Sequence, residues 1–129
     1  NILIIDDNQM YMELESDLLE LSGYQVLQAE DARGGIALAK AEKPSLILMD
    51  IHLPGMDGLT AVKILKEDAN LFNIPIVALT AYAMKGDEEK ALAAGCVGYI
   101  SKPINTREFS KQVASFLNPN TEWRMRNTE

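Results

Sequence analysis

Leu46-Ile47-Leu48-Met49-Asp50 is a run of four apolar residues that ends on a carboxylate, and Pro54-Gly55 breaks the chain four positions later. An unalternating apolar run of this length reads as a strand covered on both faces, as in a parallel sheet. A charge directly at its end is seldom placed there without a role. The fold therefore turns on whether the rest of the chain supplies parallel partners and covering helices.

Working outward, it does. Toward the N-terminus, Asp31 caps a helix with Ala32, Ile36 and Ala39 on its apolar face, and Pro44 ends it. Val26-Leu27 centre a weaker strand. Leu14, Leu18 and Leu21 recur at helical spacing, with Gly23 as a stop. Ile2-Leu3-Ile4-Ile5 is a further apolar strand, closed by Asp6-Asp7. Toward the C-terminus, Leu59, Val62 and Leu65 mark a helix, and Pro75 leads into the strand Ile76-Val77-Ala78-Leu79. Gly86 to Ala94 is helix-prone with a thin face of Ala and Leu92, and Gly95 ends it. Val97 to Ile100 is a fifth strand. Asn105 and Glu108 form a capping box for a helix carrying Phe109, Val113, Phe116 and Leu117, stopped by Pro119. Five βα units predict an α/β fold, with a parallel sheet and helices on both faces. Residues 1–118 are expected to form one domain and 119–129 a polar tail or the start of a linker. There is no internal repeat.

Composition agrees with one globular domain: 129 residues, 47% hydrophobic and 24% charged. No apolar run approaches the ~20 residues of a membrane span, and no signal peptide is visible. The single Cys96 excludes an internal disulfide and suits a reducing, cytoplasmic setting. The chain starts at Asn1 rather than Met, which raises the expectation of trimmed flanking domains. A net charge of −7 argues against direct binding to nucleic acid, which needs a basic face.

Position supplies the functional signal. Ligands of open α/β sheets bind beyond the carboxyl ends of the strands. Asp6 and Asp7 end the first strand, Asp50 the third and Thr80 the fourth, while Lys102 follows the fifth. Parallel strands bring all of them to one edge. Three carboxylates together repel, so a pKa rises unless a cation joins them. Oxygen donors are what Mg²⁺ prefers, often with a substrate phosphate. A carboxylate beside such an ion can attack a phosphoryl group, and that transfer asks mainly for positioning and charge neutralisation. Lys102 and the ion supply charge, and the Thr80 hydroxyl a hydrogen bond.

With these residues in register, the chain resembles the receiver domains of two-component response regulators. Asp6-Asp7, Asp50, Thr80-Ala81 and Lys102-Pro103 match the signature, and the loop Met49 to Gly58 strengthens it. The resemblance runs from Ile2 to about Leu117. The run Ala81 to Glu88 is similar to receivers of the DivK type and to those of hybrid kinases. The resemblance implies a flavodoxin-like (CheY-like) three-layer sandwich with strand order 2-1-3-4-5. It implies that Asp50 is phosphorylated by a histidine kinase or histidine phosphotransfer protein. Mg²⁺, or Mn²⁺ in its place, would be held by Asp6, Asp7, Asp50 and the backbone carbonyl of His52. Lys102 would pair with the phosphoryl group, ahead of a cis bond to Pro103. Thr80 and Tyr99 would act as the switch, changing the surface of helix four, strand five and helix five for an effector protein or fused output domain. Met84, Glu88, Tyr99, Ser101 and Glu108 are the output candidates there. The side chains of His52 and Tyr82 would flank the phosphoryl group. Beyond its own phosphorylation and dephosphorylation, no enzyme activity is implied.

Other readings remain. Asp6-Asp7 alone could be a helix cap, Thr80 structural, Lys102 a solvated charge and Tyr99 a half-buried aromatic. A flavodoxin-like cofactor binder would want a glycine- or hydroxyl-rich phosphate loop where Asp7-Asn8-Gln9-Met10 stands. An aspartate-nucleophile phosphatase would want a second carboxylate where His52 stands, and a cap. A degenerate receiver would lack a signature residue.

Overall fold

The computed structural model describes residues 1–80 and 85–117, with Lys85 described by its backbone alone. The elements are β1 (Ile2–Ile5), α1 (Gln9–Leu21), β2 (Val26–Ala29), α2 (Ala32–Glu42), β3 (Leu46–Asp50), α3 (Gly58–Glu67), β4 (Ile76–Thr80), α4 (Lys85–Ala94), β5 (Gly98–Ser101) and α5 (Phe109–Leu117). The strands pair in parallel in the order β2-β1-β3-β4-β5, the order the resemblance implied.

The continuous apolar runs have a direct cause. Side chains alternate across a strand, and both sheet faces are covered. Leu3, Ile5, Ile47, Met49, Ile76 and Ala78 meet α2, α3 and α4 through Ala39, Val62, Leu65 and Ala91. Ile2, Ile4, Leu48, Val77, Leu79 and Ile100 meet α1 and α5 through Met12, Leu19, Phe109 and Val113.

Helix ends follow their punctuation. At Gly23 (φ 93°) the chain turns left-handed, and the Tyr24 N–H returns to the Leu19 carbonyl at 3.1 Å. Asp31 Oδ1 accepts the Gly34 N–H at 2.7 Å. Asn105 Oδ1 accepts the Glu108 N–H at 3.3 Å, which is half of the expected capping box.

Three expectations need correction. The inward face of α1 is Met12, Glu15, Ser16 and Leu19, whereas Leu14 and Leu18 flank it and Leu21 is 86% exposed. Leucine spacing misses this face because two of its four buried positions are polar. Burying Met12 and Leu19, worth about 1.5–3 kcal/mol each, offsets the roughly 1–3 kcal/mol cost of an unpartnered polar group such as Glu15. Ser16 is satisfied, since its Oγ accepts from Gln28 Nε2 at 2.7 Å. The other two are boundary shifts: α4 begins at Lys85 and β5 at Gly98, each one residue from expectation. Ala81, Tyr82, Met84, Pro119 and the 119–129 tail lie outside the described residues.

Candidate functional site

Register brings the polar strand ends together. Ile5 pairs with Met49, Asp50 with Leu79, and Thr80 with Ser101. Asp6 follows β1, Asp50 ends β3, Thr80 ends β4 and Lys102 follows β5. All four are buried at the carboxyl edge of the sheet, and Asp7 beside them is exposed. Asp6-Asp7 is not the cap of α1. That role belongs to Asn8, whose Oδ1 accepts the Tyr11 N–H at 3.1 Å.

The carboxylates have divided contacts. Asp6 Oδ1 accepts the Asn8 N–H at 2.9 Å, and its Oδ2 lies 2.7 Å from Lys102 Nζ. Asp50 Oδ1 accepts the His52 N–H at 2.9 Å, and its Oδ2 lies 3.4 Å from Lys102 Nζ. Lys102 also sits over the Tyr11 ring, 4.5 Å from its centroid. Burial by itself would lower the Lys102 pKa, but the hydrogen bond to Asp6 and the charge of Asp50 outweigh it and raise it. Burial pushes the Asp50 carboxyl up, against the His52 N–H and Lys102.

Oxygens of Asp6, Asp7 and Asp50, one from each, lie within 4.8 Å of one another. Three hard, anionic donors at this separation fit a small divalent cation such as Mg²⁺. The cluster is compatible with metal binding.

Glycine is required where α3 starts. A Cβ on Gly58 would come within 2.3 Å of the Asp50 carbonyl oxygen and 2.6 Å of Ile51 Cα, both backbone atoms. The helix is thereby packed directly against the strand end that carries Asp50. Asp57 caps α3 through the Thr60 N–H at 2.8 Å.

Further out, His52 Nε2 lies 3.5 Å from Asp87 Oδ2 at the start of α4. Tyr99 is 38% exposed on β5. Burial and then Glu88 raise its pKa.

Sequence reasoning missed Tyr11, Glu15 and Asp87. Tyr11 carried a findable signal, because it lies one helical turn beyond Asp7. Glu15 carried none, because an acid within a leucine-rich helix reads as its solvent side. It is 0% exposed, and among the described residues neither carboxylate oxygen has a hydrogen-bond partner. Burial, followed by the charge of Asp6, pushes its pKa up to about 8.

A family model described as the response regulator receiver domain matches residues 2–114. The polar-differentiation response regulator DivK of Brucella anthropi is 44% identical over 117 residues, covering 91% of this chain and 95% of that protein. Among solved structures, the chemotaxis response regulator CheY4 of Vibrio cholerae superposes with a TM-score of 0.84 at 27% identity, covering 89% of this chain and 96% of that one. The receiver domain of a sensor histidine kinase from Pseudomonas aeruginosa, solved with a magnesium ion coordinated in its active-site cleft, gives 0.83 at 32% identity. That match covers 90% of this chain and 95% of the other.

Proposed function

The chain belongs to the family of response regulator receiver domains, and from that membership we propose that Asp50 is its phosphoacceptor, charged by a histidine kinase or a histidine phosphotransfer protein. Receivers are signalling modules of two-component systems rather than classical enzymes, so the reaction is the chain's own phosphorylation and later hydrolysis. A carboxylate oxygen of Asp50 forms the new O–P bond as the donor's N–P bond breaks. The donor imidazole keeps the electron pair and gains a proton.

One observation carries this reading: Asp50 is nearly buried at the end of β3, with Lys102 Nζ 3.4 Å from its Oδ2 and oxygens of Asp6 and Asp7 close by. Asp6, Asp7, Asp50 and the backbone carbonyl of His52 would hold Mg²⁺, or Mn²⁺ in its place. The ion supplies positive charge for the phosphoryl oxygens. Lys102 would add a second counter-charge, and the Thr80 hydroxyl would donate to a phosphoryl oxygen. Thr80 and Tyr99 form the switch. The surface of α4, β5 and α5, with Glu88, Tyr99, Ser101 and Glu108 exposed or half-buried on it, meets an effector protein or an attached output domain. Met84, the remaining output candidate, lies outside the described residues. The acidic total disfavours direct contact with nucleic acid. Among the described residues no helix is long and apolar enough to cross a membrane.

The test is intact-protein mass spectrometry after incubation with Mg²⁺ and acetyl phosphate, beside Asp50→Ala and a chelator control. A phosphoryl adduct that requires both Asp50 and the ion is the expected result. An adduct that survives Asp50→Ala would move the acceptor elsewhere.

A further inference from the structure

The seating of α4 rests on few apolar contacts. Ala91 is the one buried side chain among its described residues, and Leu92 is 49% exposed. Its first turn instead carries two adjacent acids, Asp87 and Glu88. Asp87 Oδ2 faces His52 Nε2 at 3.5 Å, and the Glu88 carboxylate adds to burial in raising the Tyr99 pKa. His52 in turn donates its backbone N–H to Asp50 Oδ1 at 2.9 Å. A polar chain thus leads from Asp50 through His52 to Asp87, and the next residue, Glu88, acts by its charge on Tyr99 at the surface.

We propose that Asp87 and Glu88 are positioning residues that transmit the state of Asp50 to the α4–β5 surface. This rests on the phosphoacceptor reading of Asp50 and differs from a route through Thr80. The physical reason is local. Converting the carboxylate that accepts the His52 N–H into an acyl phosphate alters the anchor of the residue whose ring meets Asp87. A helix held mainly by side-chain ties responds to such a change more readily than one held by a packed apolar face. Coupling of this kind needs a contiguous network with two arrangements, and these contacts supply the network.

The test is amide hydrogen exchange of α4, read by mass spectrometry, with and without Mg²⁺ and beryllofluoride, a phosphoryl mimic. Wild type is compared with Asp87→Ala, Glu88→Ala and the control Glu89→Ala, which removes an exposed acid from the same helix. Without the mimic, exchange in α4 is expected to quicken about fivefold in Asp87→Ala and Glu88→Ala, the equivalent of one net hydrogen bond, and to stay unchanged in Glu89→Ala. With the mimic, exchange in α4 changes in wild type and in the control, and the change is lost in the two tie variants. An undiminished response in both variants overturns the inference, and so does a wild type whose α4 does not respond. Intact mass after acetyl phosphate separates the causes: an adduct with no α4 response removes the route alone, and no adduct removes the phosphoacceptor reading beneath it.

Discussion

Lys102 Nζ lies 2.7 Å from Asp6 Oδ2 and 3.4 Å from Asp50 Oδ2, so the buried lysine is tied more closely to the carboxylate at the end of β1 than to the candidate phosphoacceptor. Removing it strands Asp6 as a buried anion. Lys102→Met is expected to destabilise the domain by about 3 kcal/mol, as breaking a buried pair does. Urea denaturation in chelator measures this. Added Mg²⁺ should recover much of the loss by restoring positive charge, and equal stability of the two proteins in chelator would contradict the argument.

Asp7 separates metal affinity from folding. It is exposed while Asp6 and Asp50 are buried, so Asp7→Asn should melt like wild type in chelator. Mg²⁺ at a hundredfold over its Kd should stabilise wild type by about 2.7 kcal/mol. The same addition should leave Asp7→Asn nearly unmoved. Thermal melts across a Mg²⁺ titration read both halves, and an Asp7→Asn variant stabilised as strongly as wild type would remove Asp7 from the ligand set.

Glu15 makes stability depend on pH with a definite sign. Its carboxyl rises from 4.5 to about 8 on folding, so the folded chain holds the proton that the unfolded chain gives up. The benefit is complete below pH 4.5 and is lost as pH climbs toward 8, by up to about 1.4 kcal/mol per pH unit. Glu15→Leu removes this slope. Its midpoint in denaturant should exceed that of wild type most at the alkaline end of the window. Parallel pH profiles for the two proteins would show that Glu15 ionises freely.

Gly58 tests how tightly α3 is set against the site. In Gly58→Ala the methyl group meets the Asp50 carbonyl and Ile51 Cα, neither of which can give way without moving the strand end. Overpacking of this kind costs about 1–3 kcal/mol. Phosphoryl uptake from acetyl phosphate should slow as well, because Asp50 itself shifts. A variant as stable and as fast as wild type would mean that α3 is loosely held.

Much of this was legible in order along the chain. Strands covered on both faces announce themselves as apolar runs, and the carboxylates that close those runs mark the edge where the site forms. Contacts that depend on helix rotation were not legible. The α1 face was misread because Glu15 and Ser16 are buried while Leu21 is exposed, and no periodicity of apolar residues can report a buried acid. The Lys102–Tyr11 stacking and the His52–Asp87 approach depend equally on how helices seat against loops distant in sequence. The relation of α3 to Asp50 hid in a single glycine within a loop-like stretch.

Asp6 and Lys102 are 96 residues apart along the chain, yet they share a buried ion pair. A chain leaving the ribosome exposes Asp6, Asp7 and Asp50 long before β5 has been synthesised. Until the last βα unit docks, those acids lack the ammonium that balances them. The charge balance of this edge therefore waits on the synthesis of β5 and of the lysine that follows it. A product cut short before Lys102 would hold the candidate acceptor without that counter-charge.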